Sequence, residues 1–554
     1  MDYTYDVQSY KKVFESSFSW ISQFMRNVRR YPDSRAVIDP VKEQIWTYKD
    51  LNSDVNKLAN FLLEKGVKPS DVVFFQLYNS PQFVMCYIAP QKIGAIDSPV
   101  NFNFSAQETA NLIDRDKPKV YIYDTDVSEM AVRALELCEN KPEIVLAVDY
   151  RGNAGELPAG HYSFGEILAK GNGCEPDVEF KHDMYMEVTR LSTSGTTGTP
   201  KGIPLNNINE VLSAHDTIMS FPLSPKDVTM NMTPWFHRGG LHSGGPNPTL
   251  YVGGCVVVMR MFSPKYCFEY TKKYGITFLI GAPAALVKLA DRQQKHPEEL
   301  PTLKGIVTMG APLEKEECIR FLKTLTPNIF NGYGTTETFW NTFLRPYDLP
   351  DMSGTAGRSC IGDEVRVVNI YPDRKADPDD MVPMDGKSTG EIIIFAPEKT
   401  AMCYVANEEQ TKEKYSDDGW FYTKDVGTWD ANQYISITGR KDNMIICMGE
   451  NIYPEQLEEV INQNERVKDC MIIGVDDPSR GQSVAAYILP ADETLTVQDI
   501  NAFCTNHDAI AYYKCPRYYA IVSELPYNAT GKKLHNVLRA GAKDDLANGV
   551  LRRP

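Results

Sequence analysis

Short apolar runs rich in β-branched and aromatic residues alternate with longer helical patterns through the first 340 residues. The strand-like runs are "VVFFQLY" (72–78), "VYIYD" (120–124), "IVLAVD" (144–149), "CVVVM" (255–259), "FLIGA" (278–282) and "GIVTMG" (305–310). Helical patterns lie between them, such as "LNSDVNKLANFLLEKG", which ends at Gly66, a residue suited to a helix C-terminus. This alternation restricts the fold to α/β layers with largely parallel sheets.

The pattern changes after about residue 354, where short strands and turns such as "GEIIIFAP" and "YISITG" replace the alternation. After "GRKDNMI" (439–445), one helical pattern, "PEQLEEVINQ", and the strand-like runs "CMIIGV", "VAAYIL" and "YYAIV" indicate an α+β segment. A chain of 554 residues is too long for one hydrophobic core. We therefore predict an N-terminal domain over residues 1–439 and a C-terminal domain over residues 440–554.

The charge balance of the chain argues against negatively charged macromolecules and membranes as its partners. The chain has 58 basic and 73 acidic residues, a formal net charge of −15, which disfavours a nucleic-acid or anionic-membrane binder. An anionic ligand would need a local arrangement of backbone N–H groups with Lys or Arg. The 12 Cys form no C-x-x-C pair, so neither a zinc site nor a disulfide framework is indicated.

The sequence contains no membrane-spanning pattern. The N-terminus carries acids and lacks the apolar core of a secretory signal, and no run of about 18 apolar residues is present. The segment "VFESSFSWISQFM" (13–25) is amphipathic, and a helix packed on its own domain is favoured over a membrane anchor. We expect a cytoplasmic protein without stable membrane insertion.

The stretch "LSTSGTTGTPKG" (191–202) combines hydroxyl side chains, glycines and one lysine. Its glycines allow backbone N–H groups to turn toward an anion, and Lys201 adds a charge that suits phosphate. It is not a Walker A loop, because G-x-x-x-x-G-K-[ST] is absent. Taken alone, the stretch is as consistent with a flexible linker as with a phosphate-binding loop.

Four further motifs follow in order: "NGYGTTET" (331–338), "GWFYTKD" (419–425), "GRKD" (439–442) and "LPYNATGKK" (525–533). The stretch 191–202 is called the phosphate-like loop below, because its composition is that of a phosphate-binding loop. Together with this loop, the four motifs resemble the adenylate-forming superfamily of acyl-CoA synthetases, peptide-synthetase adenylation domains and beetle luciferases. The resemblance extends from Trp46 to Leu538. It implies layered α/β subdomains plus a small β-barrel-like part, followed by a small mobile α+β domain. It also implies an AMP-forming carboxylate–CoA ligase that uses ATP, coenzyme A and Mg²⁺.

The resemblance assigns the nucleotide site residue by residue. The residues implied to wrap the β- and γ-phosphates of ATP are Thr193, Ser194, Gly195, Thr196, Thr197, Gly198 and Lys201. Those implied to line the adenine slot are Gly310, Ala311, Pro312, Asn331, Gly332 and Tyr333. Asp425 would bind the ribose hydroxyls, with Arg440 close to the same sugar. The motif "TKD" replaces the commoner T-G-D and leaves Asp425 in place.

The implied catalytic residues are Thr336, Glu337 and Lys532. Thr336 would contact phosphate, Glu337 would bind Mg²⁺ as a hard oxygen ligand, and Lys532 would reach the carboxylate and the α-phosphate. Because a carboxylate attacking a phosphate brings anions together, positioning and charge neutralisation carry such a reaction. In the resembled family the C-terminal domain then swings about the position of Asp442, and Gly449 lines the tunnel for the thiol of coenzyme A.

The acid to be activated is assigned only by class. The stretch "TPWFHRGGLHSGG" (233–245) and the residues near Phe339 are implied to form the acyl pocket, with Trp235 and His237 beside the acyl group. Acetate-specific relatives carry Trp where this chain has Gly334, which leaves room for a larger acid. An apolar acid (medium-chain, branched, alicyclic or aromatic) is therefore favoured. A metal site on His237 and His242 is disfavoured, because a third ligand is missing.

Two alternatives remain open at this point. A stand-alone acyl- or aminoacyl-AMP ligase would pass its product to a carrier protein instead of coenzyme A. A catalytically silent nucleotide-binding protein is disfavoured by the joint presence of Glu337, Asp425 and Lys532. The identity of the acid, the physiological direction and the choice between monomer and homodimer are not determined by these motifs.

Overall fold

The computed structural model describes residues 6–193, 200–371, 374–447, 450–477, 480–507, 510, 514–527 and 533–554. The chain divides into two compact units. The first contains Met1–Glu364 and Ile394–Phe421, and the second contains Val365–Ile393 and Tyr422–Pro554. The predicted boundary at residue 440 lies within the second unit and stays a prediction.

The described α-helices, in chain order, are α1 Val7–Ser17, α2 Trp20–Arg30, α3 Tyr48–Glu64, α4 Pro81–Lys92, α5 Ala106–Asp116, α6 Ser128–Leu137, α7 Phe164–Lys170, α8 Asn207–Ser220, α9 Arg238–His242, α10 Pro246–Val252, α11 Pro264–Tyr274, α12 Pro283–Lys295, α13 Lys315–Thr324, α14 Glu408–Lys414, α15 Pro454–Ile461, α16 Val497–Asn506 and α17 His535–Ala547.

The described strands are β1 Arg35–Asp39, β2 Gln44–Thr47, β3 Val72–Gln76, β4 Ile96–Pro99, β5 Val120–Asp124, β6 Ile144–Val148, β7 Tyr162–Ser163, β8 Glu187–Thr193, β9 Lys201–Asn206, β10 Val228–Asn231, β11 Cys255–Val257, β12 Phe278–Gly281, β13 Gly305–Met309, β14 Ile329–Thr335, β15 Phe339–Leu344, β16 Arg358–Ser359, β17 Glu364–Val368, β18 Gly390–Phe395, β19 Phe421–Trp429, β20 Ile435–Arg440, β21 Ile445–Cys447, β22 Glu450–Ile452, β23 Val467–Asp477, β24 Gly481–Pro490 and β25 Tyr518–Ile521.

Two largely parallel sheets form the framework of the first unit. One has seven strands in the order β7-β6-β5-β3-β4-β8-β9, and the other has nine in the order β16-β15-β14-β13-β12-β10-β11-β1-β2. Antiparallel strands lie at the edges, where β9 pairs β8, β2 pairs β1, and β15 and β16 follow β14. The predicted α/β layers with largely parallel sheets are confirmed.

Local sequence explains where the helices of this framework begin and end. In α3, the Thr47 side chain accepts from the backbone of Asp50, whose carboxylate accepts from the backbone of Thr47, which forms a capping box. The helix ends before Gly66, whose φ of 79° lies in the left-handed region that glycine adopts without a steric penalty. The predicted helix and its terminating glycine are therefore confirmed.

The amphipathic segment 13–25 is not one packed helix. Ser19 caps a new helix with its side chain, so the segment divides between α1 and α2. Helix α2 buries Trp20 and Phe24, as expected for a packed helix. Helix α1 has no buried residue, and its Val13 is 68% exposed. The expectation of a packed helix holds for α2 and is wrong for α1.

The second unit contains two further sheets. Strands β17-β18-β19-β20 form a four-stranded sheet in the part expected to be barrel-like. Strands β21 to β25 form a five-stranded sheet in which β23 and β24 make a long antiparallel pair. Helix α17 is tied to α15 by His535, whose Nε2 lies 2.6 Å from Oε1 of buried Glu458. This is the α+β arrangement predicted for the end of the chain.

Every helix among the described residues is too short or too polar to cross a membrane.

Candidate active site

The predicted adenine-binding segments lie side by side at the carboxyl edge of the nine-stranded sheet. Gly310, Ala311 and Pro312 directly follow β13 and are exposed. Strand β14 runs parallel to β13, with Met309 opposite Gly332. Ligands of open α/β sheets bind beyond the carboxyl ends of parallel strands, so this edge is the expected place for a nucleotide.

The three residues of strand β14 that are predicted to line the adenine slot differ in their exposure to solvent. Asn331 and Gly332 are buried and Tyr333 is half-buried. The Oδ1 atom of Asn331 is buried without a hydrogen-bond partner among the described residues, which is uncommon for a buried polar atom. A Cβ atom on Gly332 would lie 2.7 Å from the indole nitrogen of Trp340, so a side chain there would displace the indole.

Gly334 has a structural role that the sequence did not reveal. A Cβ atom at this position would lie 1.5 Å from the carbonyl oxygen of Phe339, across the β14–β15 hairpin. The hairpin of this chain, with the backbone geometry that it has here, therefore requires glycine at position 334. The prediction that Gly334 leaves room in the acyl pocket stays a prediction.

Thr336 and Glu337 occupy the turn between β14 and β15, and their backbone is held from two sides. Arg238 donates from Nη1 to the carbonyl oxygen of Thr336 over 2.6 Å. The backbone N–H of Ala401 donates to the carbonyl oxygen of Glu337 over 2.8 Å. Both residues are half-buried, so the turn is fixed while its side chains remain partly accessible.

The carboxylate of Glu337 is held by a tyrosine from another segment. Tyr404, which is 3% exposed, donates its hydroxyl to Oε1 of Glu337 over 2.7 Å. Burial and the negative charge of Glu337 raise the pKa of the Tyr404 phenol far above its usual value. The phenol therefore stays protonated and acts as the hydrogen-bond donor.

The phosphate-like loop joins two antiparallel strands, and its two ends are described while its centre is not. Thr193 ends β8 opposite Lys201, which begins β9. The predicted residues Ser194, Gly195, Thr196, Thr197 and Gly198 lie outside the described residues. The ammonium of Lys201 stands 4.7 Å from the ring centroid of Tyr404, the tyrosine that binds Glu337.

Arg115, at the end of α5, forms hydrogen bonds with both ends of this loop, here called its neck. Its guanidinium donates to the hydroxyl of Ser192 over 3.3 Å and to the carbonyl oxygen of Pro200. Asp116 orients the guanidinium through hydrogen bonds to Nε and Nη2, the shorter of them 2.6 Å long. Both ends of the loop are thus fixed to one side chain.

The predicted ribose residues face each other on neighbouring strands of the second unit. Asp425 in β19 is opposite Arg440 in β20, and the two side chains form an ion pair of 2.6 Å. Lys424, which precedes Asp425, has a φ of 65° and pairs with Asp442 over 3.1 Å. Glycine would adopt this left-handed backbone without the steric penalty that a residue with a Cβ atom has.

Two predicted residues of the second unit fall outside the described part of the chain. These are Lys532, expected to act in adenylation, and Gly449, expected to line the thiol tunnel. Asp442, the expected hinge, is described and exposed, and its carboxylate pairs with Lys424 as noted above. The hinge assignment stays a prediction.

The predicted acyl residues are neutral or aromatic. His237 has its Nε2 atom buried without a partner among the described residues, and burial lowers the pKa of its imidazole to about 4. The ring is therefore neutral near pH 7. Trp235 is buried against Phe83, with ring centroids 5.6 Å apart, and Phe339 stacks on Trp340 at 4.9 Å. Trp235 thus belongs to the hydrophobic core as well as to the predicted pocket stretch.

His242 is part of a buried polar network. Its Nε2 atom lies 3.0 Å from Oε1 of Glu210, whose other carboxylate oxygen accepts from Tyr87 and Asn247. Among the described residues, no group of three or more His, Cys, Asp or Glu converges as a metal site. The observed partner of His242 is thus the buried carboxylate of Glu210.

Four side chains beside the site were not predicted from the sequence, and one of them is Arg115, which holds both ends of the loop. Arg238 and Tyr404 contact the Thr336–Glu337 turn directly, as described above. Lys399 is 1% exposed and donates to Asp216, to Asp363 and to the carbonyl oxygen of Trp340. Arg238 lies within the stretch 233–245, but a spacing pattern does not reveal which arginine is buried.

Comparison with known proteins agrees with this geometry. Residues 24–405 match the family of AMP-binding enzymes, and residues 456–532 match the C-terminal domain of AMP-binding enzymes. The chain belongs to the AMP-binding enzyme family. The predicted membership of the adenylate-forming superfamily is thereby confirmed.

Relatives of this AMP-binding enzyme include several CoA ligases. It is 28% identical to the indoleacetate–CoA ligase of Aromatoleum aromaticum, over 94% of this chain and 98% of that protein. It is 27% identical to the medium-chain fatty-acid–CoA ligase of Escherichia coli, over 95% and 91%. The predicted class, an AMP-forming carboxylate–CoA ligase, is confirmed by this agreement.

Solved structures share the fold of this AMP-binding enzyme. ATP-bound MatB from Rhodopseudomonas palustris has a TM-score of 0.81 and 24% identity, covering 95% of this chain and 99% of that one. The o-succinylbenzoate CoA synthetase of Bacillus subtilis, in complex with its acyl-adenylate intermediate, has a TM-score of 0.79 and 21% identity, covering 93% and 97%. The predicted fold class is confirmed.

Proposed function

We propose that this AMP-binding enzyme activates an apolar carboxylic acid with ATP and transfers it to coenzyme A. In the first half-reaction a carboxylate oxygen attacks the α-phosphorus of ATP, the bond to the bridging oxygen breaks, and pyrophosphate leaves. In the second, the thiol of coenzyme A attacks the acyl carbon of the acyl-AMP and AMP leaves. The products are acyl-CoA and AMP.

One observation carries the first half of this proposal. Lys201, at the neck of the phosphate-like loop, and Glu337, in the turn after β14, are both held by the side chain of Tyr404. A lysine suits phosphate oxygens, and a carboxylate suits a hard cation. Lys201 could therefore bind the phosphates of a metal–triphosphate complex and Glu337 its metal ion, and both residues contact Tyr404. No protein nucleophile is required for such a transfer.

Mg²⁺ fits the residues present. Proteins usually hold Mg²⁺ through one or two carboxylates together with substrate phosphates, not through a cage of protein ligands. Glu337 supplies one carboxylate whose orientation is fixed by Tyr404, and Thr336 precedes it in the same turn. Bound there, the ion would neutralise the charge of the phosphates.

The nature of the acid follows from the predicted pocket. His237 is neutral near pH 7, and Trp235, Phe236 and Phe339 are buried aromatic side chains. We infer an apolar acid (medium-chain, branched, alicyclic or aromatic), in line with the indoleacetate and medium-chain fatty-acid ligases among the relatives.

The remaining assignments complete the proposal. Residues 440–554 would form the mobile domain that pivots at Asp442, bringing Lys532 for adenylation and Gly449 for thioester formation. We infer a cytoplasmic enzyme that acts as a monomer or homodimer on small molecules and not on nucleic acid. Reversal, with formation of ATP from acyl-CoA, AMP and pyrophosphate, is part of the proposal because the bonds exchanged have similar free energies.

A panel of carboxylates tests the function. Purified protein is given ATP, Mg²⁺ and each acid, and pyrophosphate exchange and AMP release are measured with and without coenzyme A. We expect exchange with at least one apolar acid and acyl-CoA formation when coenzyme A is present. Exchange without any thioester would favour a ligase for a carrier protein. Absence of exchange with every acid would refute the proposal.

A further inference from the structure

Tyr404 lies between two segments that the proposed function places around ATP. Its hydroxyl donates to Oε1 of Glu337 over 2.7 Å. The face of its ring is 4.7 Å from the ammonium of Lys201, a cation–π contact. One buried side chain therefore contacts a predicted metal ligand and a predicted phosphate ligand.

The backbone around Tyr404 is fastened to the same two segments. Ala401 donates its N–H to the carbonyl oxygen of Glu337 over 2.8 Å, and Val405 donates its N–H to the carbonyl oxygen of Gly202 over 2.9 Å. Residues 401–405 thus bridge the Glu337 turn and the start of β9. A bridge of this kind fixes the distance between the two segments.

Tyr404 itself has little freedom to move. Its N–H donates to the hydroxyl of Thr411 over 3.0 Å, and its ring meets the edge of the Tyr415 ring at 5.9 Å. Because the side chain is 3% exposed, solvent does not compete for its hydroxyl. The orientation of Tyr404 is set before any ligand binds.

We propose that Tyr404 is a positioning residue for the metal–nucleotide complex: its hydroxyl orients the carboxylate of Glu337 toward the cation, and its ring holds the ammonium of Lys201 toward the phosphates. The inference rests on the proposed function. Hydrogen bonds to a metal-ligating carboxylate fix its orientation, and their removal typically lowers metal affinity or activity by about 10–100-fold.

Two substitutions separate the two contacts. Tyr404→Phe removes the hydroxyl and keeps the ring, so only the orientation of Glu337 is lost. Tyr404→Leu removes the ring as well, so the support of Lys201 is also lost. Tyr150→Phe is the matched control, because the buried hydroxyl of Tyr150 also donates to a carboxylate, that of Asp39, over 2.9 Å.

The test is calorimetric titration of the full-length protein with ATP, without acid or coenzyme A, in Mg²⁺ and again in EDTA. Mg²⁺ is expected to raise the affinity of the wild type for ATP, and in Tyr404→Phe we expect this increase to be smaller by a factor of about 10 or more. The affinity of Tyr404→Phe for ATP in EDTA should equal that of the wild type. Tyr404→Leu is expected to lower ATP affinity in EDTA as well, by about threefold or more. Tyr150→Phe is expected to match the wild type in both conditions.

The outcomes are distinguishable from failure of the proposed function. A Mg²⁺-dependent gain in Tyr404→Phe within twofold of the wild type would overturn the positioning role. Equal loss of ATP affinity in Mg²⁺ and in EDTA would also overturn it, since a merely structural defect has that signature. If the wild type binds Mg²⁺–ATP but activates no acid, the proposed reaction is refuted. The ATP titrations of the Tyr404 variants would still decide the role of Tyr404, because they contain neither acid nor coenzyme A.

Discussion

The guanidinium of Arg440 donates from Nη1 to Oδ1 of Asp425 over 2.6 Å, and the two residues face each other across β19 and β20. The sheet register brings them together, although 15 positions separate them in sequence. The arginine orients one carboxylate oxygen of Asp425. The role of Asp425 in binding the ribose hydroxyls stays a prediction.

Asp425→Ala tests the ribose assignment. Hydrogen bonds to a charged group contribute about 1.5–3 kcal/mol, so we expect the KM for ATP to rise about 10–100-fold. The KM for the acid should change little. Steady-state kinetics with each substrate varied checks this. Asp379→Ala, which breaks the Arg366–Asp379 ion pair elsewhere in the same unit, serves as the control and should leave both KM values unchanged.

Arg115→Met tests the neck of the phosphate-like loop. Methionine keeps an unbranched apolar stem but cannot donate to Ser192 or to Pro200, so the ends of the loop lose their common anchor. We expect about a 10-fold higher KM for ATP, corresponding to one lost charge-assisted hydrogen bond. Arg133→Met, at an exposed ion pair with Glu136, is the matched control. Equal ATP kinetics in the two variants would refute the anchoring role.

Lys532→Ala tests the division between the two half-reactions. The lysine is predicted to stabilise charge only during adenylation, so pyrophosphate exchange should fall by about 10²–10³-fold or more. Formation of acyl-CoA from pre-made acyl-AMP should be nearly unaffected. Single-turnover assays of each half-reaction make the comparison. If both rates fell together, the assignment of Lys532 would be wrong.

Lys424 offers a test of backbone strain. Its φ of 65° lies in the left-handed region, where a residue with a Cβ atom is strained by about 1–3 kcal/mol and glycine is not. Lys424→Ala and Lys424→Gly both remove the ion pair with Asp442. The glycine variant should therefore have the higher apparent Tm in scanning calorimetry. An alanine variant of equal or greater Tm would contradict the strain argument.

Lys399 forms buried ion pairs with Asp216 and Asp363, and from these we expect the stability of the fold to depend on pH. Burial raises the pKa of Asp363 to about 7, in spite of the Lys399 ammonium 2.8 Å away. A folded-state pKa above the unfolded value means that the protonated carboxyl stabilises the fold at low pH. That contribution is lost as the pH rises from about 4 through about 7. Relative to Asp363→Asn, the wild type should thus lose apparent Tm across this window.

Calorimetric scans of both proteins at half-unit pH steps measure this difference. Asp379→Asn, at an exposed carboxylate, should follow the wild type at every pH. A difference between wild type and Asp363→Asn that stays constant from pH 4 to pH 7 would contradict the raised pKa of Asp363.

Much of the fold was predictable from local patterns. The runs at 72–78 and 305–310 are strands because β-branched and aromatic residues favour a buried, extended backbone, and Gly66 ends a helix because it accepts a left-handed φ. The segment 13–25 was mispredicted because amphipathicity describes a face of a helix and not what lies against it. Only the packing shows that α2 is covered and α1 is not.

The candidate site was predictable where its residues belong to contiguous motifs. Thr336 and Glu337 follow strand β14 in one short stretch, and Asp425 and Arg440 end two recognisable motifs. Tyr404 carries no such signal, because it is 67 positions from Glu337 and lies in a stretch without a distinctive pattern. The role of Gly334 was also hidden, since its steric constraint arises from Phe339 on the next strand.

The sequence by itself determined the order of strands and helices, the positions of the motifs and the family, because these depend on residue type and on spacing along the chain. The tertiary structure alone decided which side chains meet. Lys399 reaches Asp216 across 183 positions, and Tyr404 joins Lys201 to Glu337. Such contacts depend on how strands align and how segments pack, and residues far apart in sequence carry no local pattern that records their contact in space.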